Sequence, residues 1–484
     1  MSDPQRFLPA RVLALLGAGL LAGAAAAQGL PPAVEAALER VKLPREAISL
    51  VVADAEGRAA PRLLHRAQVP MNPASVMKLV TTYAALDLLG PAYTWSTPVY
   101  IEGAVRDGTL YGTLTIRGLG DPKLVLERMW LLLRRVQGLG VRHIHGDIVL
   151  DHSAFSVPDT DPGGFDGEPL RPYNVAPDAL MLNYKSVVMT FVPDRTANIA
   201  QVQFDPPLAG VTVPTTVPLS AGECGDYRAT LRADFSDPAR VRFAGTYPAS
   251  CQEKVWPVAY VDPRSYGVRA VEGLWQAMGG QLTGSVRDGR LAAPPSGTPV
   301  PVFELVSPSL AEVIRDINKF SNNVMAQQLF LTLGLTQRPS GSGTVPGSMD
   351  AAREVIRRWW PERVGTGLEP PVMDNGSGLS RSERISAQGL ARMLQVAYLS
   401  PQMPELMSSL PITGVDGTMR RNRSRAAGNA HLKTGSLRDV AALAGYVHGA
   451  SGRRYVLVAL INHPNAGAGR PVLDALLEWT QRDP

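Results

Sequence analysis

The feature that most constrains this chain is the match between its two ends. Residues 32–41 have helical spacing, with Val34, Ala37 and Leu38 on one face, and lead into strand-like runs at 47–53 and 62–66 around Asp54-Ala55-Glu56-Gly57. At the far end, 439–448 and 453–461 are apolar strands around Gly449-Ala450-Ser451-Gly452, followed by a helix over 472–481. Elements of this kind close into one antiparallel sheet covered by helices, with the chain ends meeting. The middle of the chain is then an insertion. Between about 93 and 300 the character changes to short apolar runs punctuated by Gly, Pro and Asp, which reads as a mostly β unit interrupted by one helix over 124–139. Its tail at 291–300 resembles a linker. Helices are expected at 75–89, between Asn72-Pro73 and Gly90-Pro91, and again at 310–333 and 349–360.

The expectation is an α+β protein with residues 28–92 and 301–484 forming one domain and 93–300 nested within it. The 484 residues are 45% hydrophobic and 19% charged, which excludes disorder as the main state and a multispan membrane protein. The net charge of +5 is diffuse, and no basic run carries interleaved aromatics, so nucleic acid is not an expected partner.

Arg6 and Arg11 precede an apolar run over residues 12–22, and Ala25-Ala26-Ala27 offers a cleavage site before Gln28. Residues 1–27 therefore read as a signal peptide that is removed, with an uncleaved anchor as the alternative. The expected location is outside the cytoplasm, in the periplasm. Cys224 and Cys251 stand 27 positions apart; in an exported protein an even pair suggests a disulfide, against two buried free thiols.

Three short segments have chemistry worth weighing. Ser75 and Lys78 share one face at the start of a helix, with the serine at its positive end. A hydroxyl needs a base beside it, and an amine serves only if desolvation or another cation lowers its pKa. Val76, Met77, Leu79 and Val80 supply apolar surroundings. Lysine is scarce, with seven in the chain, and this is the only Ser-x-x-Lys spacing among them. Ser321-Asn322-Asn323 lies between two helical stretches, where serine and asparagine are ordinary loop residues. Lys433-Thr434-Gly435-Ser436 precedes the last strand pair, and could place an ammonium, a hydroxyl and unobstructed backbone at the wall of a cleft suited to a carboxylate.

In this order the three elements resemble the signature set of penicillin-recognising serine acyltransferases. Further segments are similar to the class C low-molecular-mass penicillin-binding proteins, the D-alanyl-D-alanine carboxypeptidase/endopeptidase family S13. They are Gly118-Leu119-Gly120-Asp121-Pro122, Tyr173-Asn174-Val175-Ala176-Pro177, Asp374-Asn375-Gly376-Ser377-Gly378-Leu379-Ser380 and Thr413-Gly414-Val415-Asp416-Gly417-Thr418. The resemblance implies a β-lactamase/transpeptidase-like domain with a large nested insertion. It also implies Ser75 as acylated nucleophile, Lys78 as its base, and Ser321 as proton relay to the leaving nitrogen. Asn323 would hold the substrate amide, Lys433 and Thr434 the terminal carboxylate, and the backbone N–H groups of Ser75 and Ser436 the oxyanion. Peptidoglycan stem peptides are the implied substrates and β-lactams the implied covalent inhibitors, with no cofactor.

One segment departs from the family pattern. Where relatives have a tryptophan-rich acidic stretch, this chain has Pro162-Gly163-Gly164-Phe165-Asp166, so Asp166 and Tyr173 are expected to receive the substrate's side chain. The alternatives are a serine β-lactamase, against which the large insertion counts, and a non-catalytic peptidoglycan-binding scaffold, against which the intact polar residues count. His143, His145 and His152 stand in the His-rich stretch, but alternation over 141–150 favours a strand over a zinc site.

Overall fold

The computed structural model describes residues 29–292, 299–337 and 345–483. The signal-peptide expectation at 1–27 lies outside the described residues, as do positions 293–298 of the linker-like tail.

The two ends of the chain build one five-stranded antiparallel sheet, in the order Ala430–Leu437, Val440–His448, Arg454–Asn462, Ile48–Asp54, Leu63–His65. The central strands pair in a register that sets Leu50 opposite Ala459 and Ala444 opposite Val458. Because successive side chains leave opposite faces, this register sorts the apolar residues into two cores. Val51, Ala444, Val456 and Val458 face one way, toward the helices Lys78–Leu89, Asn323–Thr336, Met349–Arg363 and Ala387–Tyr398. Leu50, Leu443, Leu457 and Ala459 face the other, toward the terminal helices Pro32–Arg40 and Arg470–Arg482. With both faces covered, these strands read as continuous apolar runs. Trp359 and Trp360 are buried in the first core.

Two of the expected helices are divided. The stretch 75–89 opens with a 3-10 turn, Ala74–Met77, before the α-helix begins at Lys78. The stretch 310–333 is two helices, Leu310–Lys319 and Asn323–Thr336; Ser321 interrupts them at φ 57°, and the Asn322 side chain caps the second by accepting from the Met325 N–H at 3.0 Å.

Between Ser96 and Val306 the chain forms sheets of its own. One has seven strands and includes the long hairpin Ser96–Arg106 and Thr109–Arg117, with Phe303–Val306 on its outer side. A second has five, centred on Ser186–Asp194 and Ile199–Asp205, and a third is the two-stranded pair Ala233–Asp237 and Arg240–Phe243. Cys224 and Cys251 are joined in a disulfide beside the second sheet, with Cα atoms 4.6 Å apart.

The expectation of one helix in this region is corrected. Besides Leu126–Gly138 there is a twelve-residue helix, Tyr266–Ala277, and a short one at Tyr227–Leu231. Gly267 and Gly273 weaken the helical signal of Tyr266–Ala277, yet Gly273 is a close-packing position: a Cβ there would lie 2.3 Å from the Pro207 carbonyl oxygen. The single strand expected over 141–150 is likewise two, His143–His145 and Ile148–Asp151, separated at Gly146. There the backbone takes φ 151° and a Cβ would lie 2.1 Å from the Gly112 carbonyl oxygen.

Candidate active site

The edge strand Ala430–Leu437, the turn Ala74–Met77 and the break at Ser321 meet on one side of the five-stranded sheet. Ser75 sits in a turn that the sequence holds tightly. Asn72 exchanges hydrogen bonds with Asn462 on a sheet strand, accepting 2.9 Å from its Nδ2 and donating its N–H 2.8 Å to its Oδ1. The Asn72 side chain also accepts from the Ala74 N–H at 2.8 Å and donates to the Ser380 carbonyl at 2.9 Å.

Two glycines close on this turn from opposite neighbours. A Cβ on Gly435 would lie 2.5 Å from the Pro73 oxygen and 3.2 Å from the Ser75 nitrogen; one on Gly378 would lie 2.0 Å from the Ala74 oxygen. Any other residue would push a wall away from the serine.

Lys78 is fully buried directly below Ser75. Its amine donates to the Ser75 Oγ at 3.0 Å, the Asn323 Oδ1 at 2.6 Å and the Ser377 carbonyl at 2.5 Å. Burial is the main force that lowers its pKa well below the usual lysine range; the nearby Lys433 cation lowers it further, while Glu383 opposes both. An amine so placed is available as a base.

Lys433 is also fully buried and donates to the Ser321 Oγ at 2.9 Å and the Thr434 carbonyl at 2.7 Å. Desolvation lowers its pKa to about 7. Thr434 is half-buried and donates 2.8 Å to the Thr418 hydroxyl, and Ser436 is exposed two residues along the same strand.

The region between Ser96 and Val306 reaches this cleft through residues 165–174. The Asn323 Nδ2 donates to the Tyr173 backbone carbonyl at 3.3 Å. Asp166, half-buried, accepts from the Tyr173 hydroxyl at 2.9 Å and the Asn174 Nδ2 at 2.8 Å. Arg381 lies over the neighbouring Phe165 ring, 4.7 Å from its centroid, and pairs with Asp439 at 2.9 Å.

Ser75, Lys78 and Asn323 are thus directly joined, and Ser321 and Lys433 form a second bonded pair whose charge reaches Lys78. The side chains of Asp166 and Tyr173 bond to each other, and the pair meets the cluster only through the Tyr173 backbone carbonyl. Cys224 and Cys251 lie in the inserted region. Sequence reasoning missed Ser377, Glu383, Asn72 and Thr418. Ser377 and Thr418 fall in segments singled out above as whole motifs, and Asn72 marked only a helix boundary. Glu383 follows the Ser380 motif with no signature of its own.

A serine bonded to a desolvated amine, with a second buried lysine on the neighbouring edge strand, defines a serine-type acyl-transfer enzyme built on an antiparallel sheet. The chain belongs to the D-Ala-D-Ala carboxypeptidase 3 (S13) family, which matches residues 30–483. It is 28% identical over 429 residues to a D-alanyl-D-alanine carboxypeptidase of Actinomadura sp. (strain R39), covering 84% of this chain and 76% of that one. It is 24% identical to the D-alanyl-D-alanine carboxypeptidase DacB of Haemophilus influenzae, over 82% of this chain and 81% of the relative. The fold matches the crystal structure of penicillin binding protein 4 (dacB) from H. influenzae with a TM-score of 0.70 at 22% identity, covering 92% of this chain and 99% of that one.

Proposed function

We propose that this protein is a serine DD-peptidase that hydrolyses D-alanyl-D-alanine ends of peptidoglycan stem peptides, and also their D-alanyl crosslinks, through an acyl-enzyme on Ser75. The observation that carries this reading is the buried Lys78 amine, held 3.0 Å from the Ser75 Oγ and oriented by Asn323 and Ser377. Neutral Lys78 takes the Ser75 proton as the oxygen attacks the penultimate D-alanine carbonyl. The backbone N–H groups of Ser75 and Ser436 hold the developing oxyanion. The C–N bond then breaks, and Ser321 relays a proton to the departing nitrogen. Water attacks the ester and releases the shortened peptide, returning the proton to Ser75.

Asn323 holds the substrate amide, while Lys433 as ammonium and Thr434 bind the terminal carboxylate. Asp166 and Tyr173 receive a cationic side chain such as that of diaminopimelate. Residues 93–300 act as the insertion that brings this pair to the cleft. In the same reading residues 1–27 are a removed signal and the enzyme works in the periplasm. A relative of the same fold is described in complex with a β-lactam, which supports covalent inhibition of this chain by penicillins.

Labelled penicillin is expected to give a stoichiometric adduct at Ser75, and muropeptide digestion to release D-alanine and cleave dimers. A folded protein left unmodified at Ser75 would overturn the reading, and rapid release of hydrolysed penicillin would mark a β-lactamase instead.

A further inference from the structure

The loop at residues 374–380 supplies the Ser377 carbonyl that accepts from Lys78 and, through Gly378, a wall against the Ser75 turn. A loop carbonyl can orient an amine only if the loop is itself fixed. The Thr81 hydroxyl donates 2.6 Å to the Gly376 carbonyl, and the Asn375 Oδ1 accepts from the Ser377 N–H and hydroxyl at 3.0 and 2.7 Å. The central anchor is Glu383. It has no exposed surface, and its Oε1 accepts three backbone N–H groups, from Asp374, Asn375 and Gly376, each at 3.1 Å. Its second oxygen, Oε2, is buried without a hydrogen-bond partner.

A neutral amide could accept those three bonds equally well, so the loop's shape alone gives no reason for a carboxyl group. A buried carboxylate is costly unless some charge answers it. Lys78 is the cation on which Glu383 acts, favouring its ammonium form, while Lys433 acts on Lys78 in the opposite sense; the Asp374 carboxylate adds to burial in pushing Glu383 up. Asp374 lies on the same loop, tied to Arg353 at 3.2 Å, and Arg384 donates to the Glu383 backbone carbonyl at 2.8 Å.

We infer that Glu383 is a positioning residue for Lys78: it locks the loop whose Ser377 carbonyl orients the amine, and its carboxylate sets the pH at which that amine becomes a base. The inference rests on the reading of Lys78 as the base for Ser75. Glu383 is itself pushed up to about 7, chiefly by burial, and where it is charged it favours the ammonium form of Lys78.

The test is the second-order rate of acylation by a fluorescent penicillin as a function of pH, for the full chain and for Glu383→Gln and Glu383→Ala. Acylation needs neutral Lys78, and the carboxylate favours its ammonium form. Glu383→Gln should therefore move the acid limb to lower pH by about 0.5 to 1 unit while keeping most of the plateau rate. Glu383→Ala should lower the plateau about 10- to 100-fold, because the loop is no longer pinned. Profiles superimposable on the parent's, or equal plateau losses in both variants with no displacement, would overturn the inference.

Should either variant fail to fold, ¹³C-carboxyl NMR of Lys78→Met reads the coupling from the other side. Loss of the cation must raise the midpoint of the glutamate that titrates near 7; an unmoved midpoint sinks the proposal. If the parent protein is not acylated at all, it is the proposed function that fails, whereas normal acylation with unchanged profiles removes Glu383 alone.

Discussion

The two walls of the cleft are built on opposite electrostatic terms. On the sheet-and-helix side, Lys78, Lys433 and Glu383 are all without exposed surface. On the side formed by residues 165–174, the half-buried Asp166 meets the exposed Tyr173, and water screens what they do. Buried groups have strongly displaced proton affinities and suit bond making. Exposed ones keep their charge and discriminate between ligands weakly.

Substitutions should respond in that order. Lys78→Met removes the proposed base and leaves Asn323 and Ser377 facing an apolar tip; acylation by penicillin should fall by at least about 10³-fold while circular dichroism stays native. Retention of even a tenth of the rate would place the base elsewhere. Gly435→Ala puts a methyl 2.5 Å from the Pro73 oxygen and 3.2 Å from the Ser75 nitrogen, so the serine must shift. Acylation should drop about 10- to 100-fold with little loss in Tm, as expected for a displacement of under an ångström.

The buried lysines also predict how stability follows pH. Lys433 titrates at about 7 in the folded protein against 10.5 when free, so the folded state binds fewer protons between those values. Stability should be fullest above 10.5 and decline as pH falls toward 7. Glu383, raised from 4.5 to about 7, works in the other direction, its contribution disappearing as pH rises through that interval. Between pH 7 and 9 the Lys433 contribution grows while that of His152, raised to about 9 because burial is outweighed by its bonds to Asp178 and Asp288, declines. Lys433→Met should therefore lower the slope of Tm against pH relative to the parent, and equal slopes in the two proteins would contradict the burial argument. The smallest effect belongs to the exposed wall. Asp166→Ala should change the turnover ratio between diaminopimelate-containing and simple peptides by only about 3- to 10-fold, and an unchanged ratio would remove Asp166 from substrate selection.

Much of the sheet-and-helix region was legible because its signals are periodic. Both terminal helices, the hairpin after residue 47 and the last strand pair appear within a few positions of where apolar spacing puts them. The bonded cluster of Ser75, Lys78 and Asn323, and the pairing of Ser321 with Lys433, follow motifs whose side chains leave a trace in sequence. What stayed hidden has other causes. The Ser377 carbonyl is backbone, which every residue possesses. Glu383 looks like any surface acid until burial is known. In the inserted region, Gly273 reads as a helix breaker although close packing against Pro207 requires it. Ser321 adopts a left-handed conformation that spacing alone does not reveal, although the sequence does place it between two helical stretches.

The Lys78 amine binds partners 245 and 299 positions away in the chain, Asn323 and Ser377, as well as one three residues distant. Its desolvation therefore exists only once nearly the whole polypeptide has closed around it. A nascent or half-assembled molecule has an ordinary, fully protonated lysine and an inert alcohol. Reactivity is consequently switched on by the last stages of folding, and any lesion that loosens those distant attachments should silence the nucleophile before the protein visibly unravels.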